Sequence, residues 1–329
     1  MSVRSSIKTP GEGLQPVRPA RRRGPRISGG LAHLLTLTAA CTVLVIVGLL
    51  IYELYANSAL SRSKFGWNFL VTQTWDPVFE EFGALPFVYG TLVTSALALL
   101  IAVPLGVGAA IFLAEMAPPR ISGALTFSVE LLAAVPSVIY GLLGIFTVVP
   151  FLREVVQPFL RETLGFLPFF QGPIYGVGLL AGGVVLAIMI VPFIISISRE
   201  MLLAVPGDQR EAALALGATR WEATWQVVVP YARAGILGSI FLALARALGE
   251  TMAVTMVIGN DPKISASLFA PGYTIAAVIA NEFTEATDDL YLHALVELGL
   301  VLLVLTIVLN GLARLLIWTT IGRRTEHAG

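Results

Sequence analysis

The chain has 329 residues, of which 56% are hydrophobic and 13% charged, with a mean hydropathy of +0.83; the charged share is about half that of ordinary soluble domains. Apolar runs long enough to cross a bilayer, roughly 18 residues or more, exclude a soluble enzyme. Twenty-one basic residues balance twenty-one acidic ones, which excludes nucleic-acid binding driven by overall charge, and a single cysteine, Cys41, excludes an intrachain disulfide framework.

In chain order, residues 1–30 are rich in Pro, Gly, Arg and Ser without an apolar period and read as a disordered basic tail. Six apolar stretches follow, near 31–52, 86–114, 121–150, 174–198, 234–259 and 292–318. The first is too long for a signal core and has neither a cleavage site nor a lipobox at Cys41, so it is an anchor helix. The 53–85 loop carries Trp67 and Trp75, and the 151–173 loop carries Phe159, Phe166, Phe169 and Phe170, aromatic enough for both to rest at the membrane interface. Pro104, Pro136 and Pro192 fall inside three predicted spans, where each bends its helix. Fifteen of the basic residues lie in the tails and alternate loops of one side and five on the other, with the last, Arg246, inside a span. By the positive-inside rule both termini, including residues 321–329, are cytoplasmic. The fold class is all-α, a polytopic membrane protein with six transmembrane helices.

The most informative polar stretch is 206–230. Asp208 and Glu211 have capping-box spacing and predict a helix from Gln209, with Glu211 in its first turn. Gly217 ends it in the left-handed conformation that glycine adopts without steric cost. Thr219 and Glu222 repeat the capping pattern, and Trp221, Trp225, Val228 and Val229 give a second helix an apolar stripe up to Pro230. On physical grounds alone this is either a lever or an inert hairpin lying on lipid headgroups.

Glu211-Ala212-Ala213, then Gly217, then Val227-Val228-Val229-Pro230 resembles the signature of inner-membrane permeases of binding-protein-dependent ABC importers, with Val for the usual Ile and Leu. The resemblance implies the type I importer permease (MetI-like) fold over 86–320. It also implies that 206–230 is the coupling helix that docks on an ATP-binding subunit, with Glu211, Ala212, Ala213 and Gly217 as its residues. Strings at 82–95, 112–120, 134–144, 245–260 and 280–286, among them Phe112-Leu113-Ala114-Glu115-Met116, look like the permease of phosphate-specific ABC importers, more the C-type subunit than the A-type. A likeness of that kind implies a second, A-type permease subunit, an ATP-binding subunit dimer and a periplasmic or lipid-anchored phosphate-binding protein as partners, in the bacterial cytoplasmic (inner) membrane. None of the three lysines, Lys8, Lys64 and Lys263, sits in a P-loop. The chain is therefore expected to be a transport subunit and not an enzyme, binding no cofactor itself, while ATP-Mg is used by the separate subunit.

For the substrate path, Arg246 falls about 16 Å along a span that starts near Gly235, at 1.5 Å per residue, which is the bilayer centre. Ser239, Arg246 and Glu250 share one helical face, and Arg246 and Glu250 have pairing distance at i, i+4. A forked guanidinium suits a phosphate oxygen pair, with Glu250 holding it when no anion is present; a structural ion pair is the alternative. In the phosphate permease family this pair is associated with transport. Glu130 and Glu297 also fall at lipid depth, as interhelical contacts or relay groups. Competing readings are a permease for sulfate or molybdate and a proton-coupled secondary transporter. The three scattered histidines, His33, His293 and His327, offer no metal or nucleophile constellation for a membrane enzyme.

Overall fold

The computed structural model describes the backbone of residues 27–322 and the side-chain surroundings of 32–315. The greater part of the basic tail, and Arg323 and Arg324 at the other end, lie outside the described residues. The chain divides into two units. Residues 1–50 form one, whose described part is most of α1 (Ile27–Ala56); residues 51–329 form the other and hold all remaining elements.

Among the described residues, six helices are long and apolar enough to cross a membrane, as the hydropathy predicts: Ala32–Ala56, Leu85–Met116, Ser137–Leu164, Leu179–Leu203, Arg220–Leu248 and Asp289–Leu315. Between the first two, the segment read as an interfacial loop folds instead into α2 (Ala59–Phe65), α3 (Asn68–Val71) and a two-residue antiparallel ribbon, β1 (Trp75–Asp76) with β2 (Glu81–Phe82). Trp67 stays exposed, but Trp75 turns inward. Its ring meets Phe82 and Phe87 edge-on at 4.8 Å, and its Nε1 donates to Glu282 Oε2 at 2.8 Å. The polar tip finds a partner while the half-buried ring packs among other aromatics.

The second span is α4 (Leu85–Met116). The predicted third span over 121–150 is in fact two helices, α5 (Pro119–Ala133) and α6 (Ser137–Leu164), because Pro136 occupies the position just before Ser137 and starts a helix there rather than bending one. Most of the predicted 151–173 loop is the continuation of α6. It survives Pro150 and Pro158 because five-residue π-helical turns, Gly144–Val148 and Leu152–Val156, end two residues before each proline. A widened turn relieves the clash between the proline ring and the carbonyl four residues back.

The fourth span, α7 (Leu179–Leu203), is the central one, with two thirds of its apolar window buried. It packs along α4 at close range because glycines face their neighbours: a Cβ at Gly183 would lie 2.5 Å from Leu97 Cδ2, and one at Gly106 would lie 2.8 Å from Ile194 Cγ2. Small residues at helix contacts are the means by which membrane helices gain dispersion without a hydrophobic driving force. After α7 come α8 (Gly207–Ala215), α9 (Arg220–Leu248), α10 (Met252–Ile258), α11 (Ile275–Glu282) and α12 (Asp289–Gly322). The connection from α10 to α11 is stitched to the start of α7 by Gly178 N–H to Val257 O (3.0 Å), Leu179 N–H to Ala270 O (3.1 Å) and Leu180 N–H to Leu268 O (2.8 Å). Within it, burial pushes the Tyr273 phenol up to about 12, and its oxygen accepts from Asn281 Nδ2.

Candidate functional site

The 206–230 stretch forms the expected helix, elbow and helix. Pro206 stands at the N-cap of α8 with φ −55 and ψ 137 and no side-chain cap bond. The Asp208–Glu211 capping box therefore does not form: the helix begins at Gly207, which puts Asp208 inside the first turn, where its charge still faces the positive helix end. Gly217 closes the helix at φ +89. The Gly217 amide donates to Leu214 O (3.0 Å) and the Ala218 amide to Ala213 O (3.1 Å), the two bonds of a Schellman cap. Thr219 and Glu222 do make a reciprocal box, with Thr219 N–H to Glu222 Oε2 at 2.8 Å and Glu222 N–H to Thr219 Oγ1 at 3.3 Å. Glu211 and Ala212 are exposed and Ala213 is buried beneath them. A groove of about 540 Å³ opens between α8 and the start of α9, lined by Ala212, Ala213, Gly217, Glu222 and Val227 among others.

The second helix departs from expectation in two ways. It does not stop at Pro230, because the π turn Thr224–Val228 again precedes the proline by two residues and α9 runs on to Leu248 as the fifth span. The widened turn also splits the predicted stripe. Trp221 and Trp225 are exposed and meet edge-on at 5.5 Å, while Val228 turns into a cluster with Ala232 and Ile236. The lever is thus continuous with a span.

An unpredicted ion pair ties the lever to two other spans. Arg210, on α8, donates from Nε to both oxygens of Glu115 at 3.2 Å and from Nη2 to Glu115 Oε1 at 2.8 Å. Its Nη1 reaches Val205 O (2.6 Å) and its Nη2 also reaches Leu202 O (2.7 Å), both at the end of α7. Glu115 sits in the π turn Phe112–Met116 that ends α4. In the sequence, Arg210 counted only toward the charge balance, and Glu115 only as part of a string.

Arg246 lies in the last turn of α9 rather than at its middle, since the helix starts at Arg220 and breaks at Gly249. Its depth in the bundle is nevertheless central. The guanidinium stands 5.7 Å from the ring centroid of Phe193, the fifteenth of the 25 residues of α7. No carboxylate pairs with Arg246 among the described residues. The i, i+4 pair with Glu250 fails because Glu250 is past the helix end, where its Oε1 accepts the Ala253 N–H (3.2 Å) and caps α10 instead. Ser239 is not brought to the same opening: it is fully buried and shares a 2.7 Å hydrogen bond with Ser198, a contact between α9 and α7. Arg246 itself is exposed on this chain. Glu130 is exposed on α5, whereas Glu297 is buried on α12 and lines a cavity of about 660 Å³ with Arg62.

Residues 102–317 match the family of binding-protein-dependent transport system inner membrane components. The chain is 49% identical over 310 residues to the phosphate transport system permease protein PstC of Mesorhizobium japonicum, covering 92% of this chain and 95% of that one. It is 47% identical over 282 residues to PstC of Haemophilus influenzae, covering 84% and 89%. Among solved structures, a bacterial ABC transporter involved in the import of the acidic polysaccharide alginate aligns with a TM-score of 0.58 at 18% identity, over 88% of this chain and 98% of that one, which establishes a shared fold. The chain belongs to the binding-protein-dependent transport system inner membrane component family, as a multi-pass permease of the PstC type.

Proposed function

We propose that this chain is the C-type permease subunit of an ATP-driven importer that carries inorganic phosphate across the cytoplasmic (inner) membrane by alternating access. The observation that carries the reading is the 49% identity to a PstC permease over nearly the whole of both chains. In this assembly the chain pairs with an A-type permease subunit, docks an ATP-binding subunit dimer and receives phosphate from a periplasmic or lipid-anchored binding protein, with both termini in the cytoplasm. Annular lipid surrounds it and no nucleic acid is involved. ATP-Mg belongs to the partner subunit; none of the three lysines here lies in a P-loop. The exposed Glu211 and Ala212, the buried Ala213 and the Gly217 elbow form the surface that meets it.

The path is assigned to Arg246, whose guanidinium, without a carboxylate partner among the described residues, stands at the depth of mid-α7 and can offer forked donors to an oxyanion. Glu250 acts one step removed, by fixing the start of α10 beside the break. Ser239 is assigned to the α7–α9 contact and not to the path.

The test is phosphate uptake by the reconstituted four-component importer. Arg246→Gln keeps a polar group but loses charge and fork, so uptake collapses while assembly with the ATPase persists; Arg246→Lys rescues poorly because an ammonium lacks bidentate geometry. Normal uptake by an assembled Arg246→Gln complex refutes the path. ATP-independent uptake by this chain alone in vesicles would favour a proton-coupled carrier, and a receptor that holds sulfate or molybdate would reassign the substrate.

A further inference from the structure

We propose that Arg210 is a positioning residue that locks the lever to the ends of the second and fourth spans, so that α8, α4 and α7 move as one body when the lever is pushed. The proposal rests on the coupling role given above to the 206–230 lever. Arg210 spends its guanidinium on three elements at once. Its own backbone belongs to α8, its Nε and Nη2 hold Glu115 in the last turn of α4, and its Nη1 and Nη2 hold the carbonyls of Val205 and Leu202 at the end of α7. Those two carbonyls are at the negative end of the α7 dipole, where a cation is favoured; Leu202 O lacks its i+4 donor because residue 206 is proline, and keeps a long bond from the Val205 N–H (3.3 Å).

The neighbouring packing makes the fork the directional part of the joint. Ala110 and Ile111 from α4, Leu202 and Val205 from the end of α7, and Val228 and Ala232 from α9 form a separate apolar cluster at this end of the bundle. Apolar contact of this kind holds elements together but lets them slide, whereas a planar fork with fixed donor directions sets register. The α4 side of the joint is itself braced, because the Ser122 hydroxyl, from α5, donates to Leu113 O (2.7 Å) in the same π turn as Glu115. Without the fork, α8 would be tied to α7 only through the short Ala204–Pro206 connection and to α4 only by apolar contact; with the fork in place, displacement of α8 is passed to α4 and α7 directly.

The experiment uses the complete importer in lipid nanodiscs, with Cys41→Ser in this chain and spin labels at Ala215, exposed on the lever outside the groove, and Phe112, 46% exposed at the end of α4. Pulsed dipolar spectroscopy reads their separation with and without ATP, and ATP consumed per phosphate imported is measured in parallel. The separation is expected to stay constant on ATP binding in the parental complex. In Arg210→Gln it should broaden and become nucleotide-dependent, with about tenfold more ATP used per phosphate, the factor that one charge-assisted hydrogen bond supports. Glu115→Gln should act in the same direction, and Arg210→Lys, which keeps the charge but not the fork, should not restore the fixed separation.

A parental separation that changes by about one helical turn or more, ~5 Å, on adding ATP overturns the proposal without recourse to any variant. So does an Arg210→Gln complex with parental separation and parental ATP use. Gly217→Val separates the two levels of the argument. If it uncouples transport while Arg210→Gln does not, the lock is wrong and the lever stands; if neither variant uncouples, the lever reading falls and the lock with it.

Discussion

The Gly217 elbow allows a prediction whose size follows from the backbone. Its φ of +89 is in the left-handed region, and a Cβ placed there meets nothing within 4 Å. Substitution is therefore penalised by backbone conformation alone, not by a clash. An L-residue in that region costs about 1–2 kcal/mol, least for asparagine and most for a β-branched side chain. The variant's other choice is to leave the left-handed region, which gives up the Gly217–Leu214 and Ala218–Ala213 bonds at about 1 kcal/mol net each. Both routes come to roughly 2 kcal/mol, so Gly217→Val shifts the ratio of formed to released elbow by up to about 30-fold. Receptor-stimulated ATPase and phosphate uptake by the assembled importer should then fall in the order Asn, Ala, Val, with Gly217→Asn near the parental rate. If Gly217→Asn is as damaging as Gly217→Val, the position is crowded by a partner surface and the conformational reasoning is refuted. Equal and parental activity of all three would refute the coupling role itself.

Two further predictions concern the bundle. Gly106→Leu, whose Cβ would press on Ile194, should cost about 1–3 kcal/mol as overpacking and lower the melting temperature of the purified complex, while Gly108→Leu, with open space around it, should not; equal effects would mean that the α4–α7 contact is not tight. Reporter fusions after residues 66, 172 and 263 should report the outer side and one after residue 217 the cytoplasm, and any reversal breaks the assigned orientation.

The six spans were legible because lipid solvation demands long apolar runs, a signal that local detail cannot mask. The Gly217 elbow and the Thr219–Glu222 box were legible for a different reason, since each depends on residues within a single turn. Boundaries near proline were not. A proline ring clashes with the carbonyl four residues back in an α-helical turn, and at Pro150, Pro158 and Pro230 the preceding turn is π-helical, so the helix runs on past the boundary that the proline suggests. The Arg246–Glu250 pair failed because its premise, an unbroken helix through Gly249, failed. The Arg210–Glu115 fork joins residues 95 apart in sequence, and no local pattern announces a partner at that distance.

The π turn in α9 also separates two design problems that a straight helix would bind together. A turn with one residue too many rotates everything after it by about 100° relative to the residues before it, one residue's share of a 3.6-residue turn. The face that α9 presents next to the elbow, with Trp221 and Trp225, is therefore not phased with the face that continues as Val228, Ala232, Ile236, Ala243 and Ala247 into the bundle. Substitutions can retune the outward surface to a changing partner without touching the periodicity that packs the membrane core, and the reverse. Removing that extra residue would couple the two faces again, so a single-residue deletion within 224–228 should disturb more of the molecule than any substitution there.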